Sequence, residues 1–175
     1  MTHPLHSAVI WLTGPPASGK TTLAAALNTR LRAAELAVLW LDSDDLRPVL
    51  MPEAGYDDAD RHRFYGAVAH LARRAAEGGC TVLISATASR RAHRAPLRRS
   101  VPRFHEVLLT CDPETLRARD PKGLYARADA GELPHLPGAT APYEPPDHPL
   151  VILDTGRLSV DAAVARLAEA LGLPG

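Results

Sequence analysis

The chain has 175 residues, enough for one domain with a sizeable core and too few for two ordinary ones. Twenty basic and twenty acidic residues cancel, so there is no global field to hold nucleic acid or an anionic membrane, and any anion selectivity must be local. Cys80 and Cys111 each lie at the edge of an apolar run, and neither a signal peptide nor a run long enough for a membrane span is evident, so the expectation is a reduced, cytoplasmic protein.

Residues 1–7 are polar, and Ala8–Leu12 reads as a first strand, apolar throughout and so buried on both faces, as parallel strands are. It runs into Gly14-Pro-Pro-Ala-Ser-Gly19-Lys20-Thr21-Thr22, which fits G-x-x-x-x-G-K-[ST] between a strand and a helix. Backbone N–H groups of such a turn, converging at a helix N-terminus, form a concave site for the phosphates of ATP. Gly14, Ser18, Gly19, Lys20, Thr21 and Thr22 are therefore the expected ATP contacts. Lys20 reaches the β/γ oxygens and shares in catalysis, and the Thr21 hydroxyl is a Mg²⁺ ligand.

Only Lys20 and Lys122 are lysines; every other basic residue is Arg. A compact ammonium on a flexible stem suits a phosphate loop, which makes Lys122 either a second phosphate contact or a leftover surface lysine.

A helix is expected over residues 20–34, with Leu23, Leu27 and Leu31 facing inward, and a second strand over Ala37–Leu41. That strand ends at Asp42-Ser43-Asp44-Asp45-Leu46-Arg47, on the edge where open α/β sheets bind ligands. Asp44 is the candidate base, while Asp42 and Asp45 read more readily as turn or cap residues. Asp57 or Asp58 caps a helix running to Glu77, with Phe64, Ala67, Val68, Leu71 and Ala75 as its apolar stripe and Gly78 and Gly79 as its stop. Thr81–Ser85 is a third strand. Ser89 to Arg103 then carries Arg90, Arg91, Arg94, Arg98, Arg99 and Arg103, which form a solvated face unless one or two reach an anionic ligand; Pro96 argues against one uninterrupted helix there.

Glu106–Thr110 is a fourth strand, and Asp112 with Pro113 opens a short helix to Arg119. Between Pro121 and Pro149 lie seven of the sixteen prolines and no long apolar run, the composition of a functional loop such as a lid. Leu150–Asp154 is the fifth strand, and Ser159 caps a last helix with Val160, Val164, Leu167 and Leu171 inward. The whole reads as an α/β fold over residues 1–175: a P-loop kinase-like, doubly wound parallel sheet of about five strands, helices on both faces, and a Pro-rich lid over about 120–149.

A phosphate loop does not by itself choose among kinase, GTPase and nucleotide sensor. The guanine-selecting N-K-x-D is missing, since neither lysine follows an Asn. A small-molecule kinase needs a base, positive charge at the moving phosphoryl and a lid, and Asp44, Arg47 with Arg61, and the Pro-rich segment supply them.

The chain resembles the adenylylsulfate kinases over nearly its full length. The phosphate loop is followed by Leu41-Asp42-Ser43-Asp44-Asp45-Leu46-Arg47 against the family's L-D-G-D-N-[IV]-R, by Asp60-Arg61, by Arg119-Asp120-Pro121-Lys122-Gly123-Leu124-Tyr125, and by Pro142-Tyr143-Glu144-Pro145-Pro146. The resemblance implies a homodimer that transfers the γ-phosphate of ATP to the 3′-hydroxyl of adenylyl sulfate, giving 3′-phosphoadenylyl sulfate for sulfate assimilation. It makes Asp44 the base and a Mg²⁺-side carboxylate, gives the acceptor's phosphosulfate to Arg47 and Arg61, and starts the lid at Lys122, Gly123 and Leu124. Departures fall on the acceptor side, whose expected contacts also include Arg91. The family's two adenine-sandwiching phenylalanines read Tyr56 and Leu136 here, an acceptor-side Asn reads Phe64, and a serine phosphorylated in some members falls on Ala88, next to Ser89. Two alternatives stay open: a related kinase with another hydroxyl acceptor, and an ATP-binding protein without efficient transfer.

Overall fold

The computed structural model describes residues 5–53 and 55–173. Five strands, β1 (Val9–Thr13), β2 (Val38–Asp42), β3 (Thr81–Ser85), β4 (Phe104–Thr110) and β5 (Val151–Asp154), form one sheet in the order β2-β3-β1-β4-β5. Every pairing is parallel, as expected for strands joined by helical crossovers. Strand β1 is central and buried at every residue, which explains its unbroken apolar run.

The pleat sends alternate side chains of β1 to opposite faces. Ile10 and Leu12 join Leu23, Leu27 and Leu31 of helix α1 (Lys20–Ala33) and Val164 and Leu167 of α7 (Val160–Ala170). Val9 and Trp11 pack on the other face with Phe64, Tyr65 and Val68 of α3 (Asp58–Glu77) and Leu97 of α4 (Arg91–Ser100). Both faces are thus covered, and the C-terminal strand ends meet one edge, where the chain reverses from β2 and β3 to β4 and β5 about β1.

Several sequence expectations need correction. On α3 the buried stripe includes Ala69, Ala72 and Ala76, whereas Leu71 is exposed: small residues let this helix settle close to the sheet and rotate Leu71 outward. Val160 of α7 is likewise exposed, as the helix's first residue. Pro96 lies inside an unbroken α4, whose flank is pinned by Arg94. That guanidinium is buried, donates from Nε to Glu106 of β4 at 2.6 Å, and also donates to the Ala88 and Glu144 carbonyls. Arg98 pairs with the other oxygen of Glu106. Arg90 pairs with Asp58, so much of the arginine run is structural rather than ligand-facing.

Two short helices are additional to the expected set. Helix α2 (Ser43–Leu50) starts directly at the end of β2, with Asp42 as its N-cap accepting from the Asp44 N–H at 2.8 Å. Helix α6 (Leu124–Asp129) follows α5 (Pro113–Arg119) inside the Pro-rich segment. Gly123 begins it in the left-handed region at φ 64°, and the Asp120 carboxylate accepts from the N–H groups of Leu124, Tyr125 and Ala126. The segment is also anchored, against the expectation from its lack of apolar runs. Leu116, Tyr125, Ala128 and Leu136 form a small core of their own, and the Glu144 N–H bonds the Ser89 carbonyl at 2.7 Å.

Candidate active site

A cavity of about 1000 Å³ lies along the C-terminal edge of the sheet, with the loop between β1 and α1 at its centre. Gly14, at φ 159°, is extended rather than left-handed, and what it needs is space: a Cβ there would stand 2.5 Å from the Leu109 carbonyl oxygen. Gly19 caps α1 in the left-handed region at φ 83°. Ser18 is fully buried beneath the loop, while Gly19, Lys20, Thr21 and Thr22 line the cavity. The Lys20 ammonium donates to the Gly14 and Pro15 carbonyls at 3.1 and 2.7 Å, so the loop holds its own cation over the bowl. Burial pulls the Lys20 pKa down to about 8, against the opposing pull of Asp44 and Asp42.

Beside the loop, the end of β2 supplies the acids. Asp42, read from sequence as a cap, does more than cap. Its buried carboxylate accepts from the Thr21 hydroxyl at 2.8 Å and from the Ser85 hydroxyl at 2.7 Å. Asp44 is exposed at the cavity wall and pairs with Lys122 at 2.6 Å, which brings the only two lysines of the chain to one cavity. Asp45 also lines the wall.

One arm of the cavity carries Arg47, Tyr56, Arg61, Tyr65 and Leu136. Arg47 and Arg61 are only 8% and 9% exposed, and among the described residues neither sits in an ion pair with a carboxylate. Arg47 instead lies between two rings, with its guanidinium carbon 4.2 Å from the Phe64 centroid and 4.8 Å from that of Tyr56. Arg61 donates to the Tyr56 and His135 carbonyls at 2.7 and 3.0 Å, tying α3 to the Pro-rich segment. Its burial depresses its pKa. A guanidinium kept in low dielectric without a counter-charge is a receptor for an anion.

Not every expected acceptor contact faces this arm. Phe64 has no exposed surface and lies behind Arg47 as core, so it acts on a ligand only through that arginine. Arg91 is turned away and committed to Pro145 and Asp147. Gly123 is outside the cavity wall and serves to start α6, whereas Lys122, Leu124 and Leu136 line the wall. Ala88, at φ 41°, is buried with its N–H on the Tyr65 hydroxyl, and the Ser89 side chain is buried too.

The other arm carries Arg119, Thr155, Leu158, Val160 and Ala163, none of them an expected ligand contact. Thr155 follows β5 directly, and that position alone signals ligand contact, by the strand-end logic that singled out Asp44. The exposure of Val160 follows, since it faces this arm rather than the core.

The cavity thus has the phosphate loop at its centre, the arm of Arg47 and Arg61 on one side and a mostly apolar arm on the other. The family model described as adenylylsulphate kinase matches residues 6–154. The chain belongs to the adenylylsulphate kinase family. The adenylyl-sulfate kinase of Bacillus licheniformis is 39% identical over 152 residues, covering 86% of this chain and 77% of the relative. That of Bacillus pumilus is 37% identical over 165 residues, covering 93% and 84%. Among solved structures, the APS kinase CysC of Mycobacterium tuberculosis in complex with AMPPNP and APS superposes with a TM-score of 0.87 at 31% identity, covering 95% of this chain and 98% of that one. Membership in the adenylylsulphate kinase family makes the protein a kinase. A sugar kinase of Janibacter at 21% identity and a TM-score of 0.65 shares the fold.

The Phe64 position can be tested within this family. Phe64→Leu keeps an apolar filler at about 1 kcal/mol of stability but removes the ring face beneath Arg47. The expected result is a two- to fivefold rise, roughly, in the acceptor KM with the ATP KM unchanged. Steady-state kinetics with each substrate varied in turn checks it, and equal shifts in both constants would count against the stack.

Proposed function

We propose that the protein transfers the γ-phosphoryl group of ATP to the 3′-hydroxyl of adenylyl sulfate, giving ADP and 3′-phosphoadenylyl sulfate. The observation that carries this is the pair of buried, carboxylate-free arginines, Arg47 and Arg61, facing the same cavity as the phosphate loop. ATP lies with its phosphates in the bowl that Gly14 and the buried Ser18 shape and Gly19, Lys20, Thr21 and Thr22 line, and its base along the arm of Arg119, Leu158 and Val160. The acceptor lies on the opposite arm, its phosphosulfate on Arg47 and Arg61 and its base near Tyr56 and Leu136.

In the transfer, the acceptor hydroxyl oxygen forms its bond to the γ-phosphorus as the bond to the β–γ bridging oxygen breaks. Asp44 takes the hydroxyl proton, and Lys20 offsets the charge carried by the moving group. Lys122 exchanges its Asp44 partner for phosphate oxygens, which frees the base. Residues 120–149 act as a lid that keeps water from the phosphoryl group within the single domain. The chemistry at Thr21 fits Mg²⁺: a hydroxyl that donates its proton to Asp42 turns its lone pairs toward the cleft, and carboxylate and hydroxyl oxygens are the donors this ion takes. Thr21 and Asp44 would hold the ion, with Asp42 behind Thr21, and when bound it neutralises charge on the β and γ oxygens. A homodimer in the cytoplasm completes the reading, supported by the family pattern and by the free thiols of Cys80 and Cys111.

ATP turnover across a panel of acceptors tests this, with adenylyl sulfate first and adenosine 5′-phosphate as the control that lacks sulfate. Saturable turnover with the sulfated compound alone is expected. One observation favours a second reading, a kinase for another hydroxyl compound: Phe64 presents no amide to the acceptor arm, and Leu136 presents no ring. Turnover confined to a different acceptor would establish it.

A further inference from the structure

The phosphate loop of this chain is poor in donors and strained. Pro15 and Pro16 have no N–H, and the Ser18 N–H turns back to the Pro15 carbonyl at 3.3 Å. Ala17 sits at φ 61°, a left-handed conformation that a residue with a Cβ resists. Ahead of the helix, the N–H groups of Ala17 and Gly19 remain for a ligand. Both residues line the cavity, and among the described residues neither N–H has a protein acceptor.

Each of these N–H groups belongs to a peptide unit whose carbonyl is gripped from behind. The Tyr125 hydroxyl, on α6, donates to the Pro16 carbonyl at 3.1 Å. The Thr155 hydroxyl, after β5, donates to the Ser18 carbonyl at 3.0 Å, the nearer of its two acceptors, the other being the Thr110 carbonyl at 3.2 Å. In a trans peptide the C=O and N–H point in opposite directions. Holding the Pro16 oxygen outward therefore aims the Ala17 N–H inward, and holding the Ser18 oxygen outward does the same for Gly19.

Both hydroxyls are themselves fixed. Tyr125 is 2% exposed within the small core of Leu116, Ala128 and Leu136, and burial raises its pKa, keeping the phenol protonated as a donor. Thr155 is held by Arg119, which donates to its hydroxyl and its carbonyl at 3.3 and 2.6 Å. Gly138 brings the same segment over Pro15, where a Cβ would stand 3.3 Å from the proline Cβ.

We propose that Tyr125 and Thr155 are positioning residues for phosphate binding: their hydroxyls set the orientation of the two peptides that present the Ala17 and Gly19 N–H groups to the nucleotide phosphates. The inference rests on the reading that ATP phosphates occupy this loop. It adds that the bowl is aimed from outside, in part by the 120–149 segment.

The test uses Tyr125→Phe, Thr155→Val and Thr155→Ser in the full chain, titrated with ATP and with tripolyphosphate, which has no base or ribose. Tyr125→Phe and Thr155→Val are each expected to weaken both ligands by a similar factor, about three- to tenfold, the worth of one hydrogen bond. Thr155→Ser, which keeps the hydroxyl, should bind like the parent. The acceptor KM should be unchanged, and thermal melting confirms that the near-isosteric variants are folded. Unchanged affinities for both ligands overturn the proposal, as does a loss for ATP with none for tripolyphosphate, which would place the two residues at the base or ribose. If the unaltered protein binds neither ligand, the phosphate-loop reading itself fails, and that result is visible before any variant is compared.

Discussion

Replacement of Lys20 by Ala is expected to lower turnover by about 10²–10³-fold, the loss associated with removing one group that stabilises transition-state charge. The apoprotein should not melt earlier. Lys20 holds a cation in a buried position, which is a cost to the fold: burial lowers its pKa from 10.5 to about 8. Between those values the unfolded chain binds more protons than the folded one, so the stability of the parent apoprotein rises with pH across this window. Below about pH 8 the cost is fully present. Lys20→Ala should remove that pH-dependent gain, seen as a flatter melting temperature between pH 8 and pH 10. Phosphates in the bowl favour the charged lysine, so ATP binding at pH 9 should take up a proton, and the binding enthalpy should depend on the ionisation heat of the buffer. A variant with near-parental turnover would sink the assignment of the loop.

The sheet was legible in the sequence because every strand carries a short apolar run, fully buried in β1 and β3, and the phosphate loop because its chemistry demands particular residues at fixed spacing. The 120–149 segment was less so. Its anchors are single residues far apart in sequence, such as Tyr125 and Glu144, whose partners Pro16 and Ser89 come close only after folding. Arg94 and Phe64 illustrate a second limit. An arginine in a basic run reads as solvated until β4 brings Glu106 beneath it, and Phe64, core by its helical stripe and an acceptor contact by resemblance, is core with Arg47 lying over its face. Lys122 stands out in the sequence by its scarcity and by the family motif around it, and the structure puts it on the same cavity, paired with Asp44. Tyr56 and Leu136 line the arm where the family pattern has two phenyl rings, so the acceptor side departs from that pattern while the phosphate loop keeps it.

The acids at the end of β2 should separate into two roles when each is changed to its amide. Asp42 reads from sequence as a turn or cap residue, but three donors converge on its carboxylate: the Asp44 N–H on Oδ1, and the Thr21 and Ser85 hydroxyls on Oδ2. In Asp42→Asn the amide oxygen must stay on the Asp44 N–H, which can only donate, so the NH₂ group is forced toward the two hydroxyls. The Thr21 hydroxyl then accepts from the amide and turns its proton into the cleft, toward the place where a cation would sit. Asp42→Asn is therefore expected to lower kcat by about 10²–10³-fold and to raise the Mg²⁺ concentration needed for half-maximal rate. Asp44 is exposed and, among the described residues, its one ion pair is with Lys122, so Asp44→Asn should leave the fold and ATP affinity nearly intact. It should lower kcat by about 10²–10⁴-fold through loss of the proton acceptor. Asp45→Asn should do least. A Mg²⁺ titration of each variant at saturating ATP and acceptor distinguishes the roles. A raised Mg²⁺ requirement is expected in Asp44→Asn too, since Asp44 would also hold the ion; a requirement unchanged in Asp42→Asn overturns its role behind Thr21. If all three amides lose rate equally, the cluster acts through summed charge and no single base has been found.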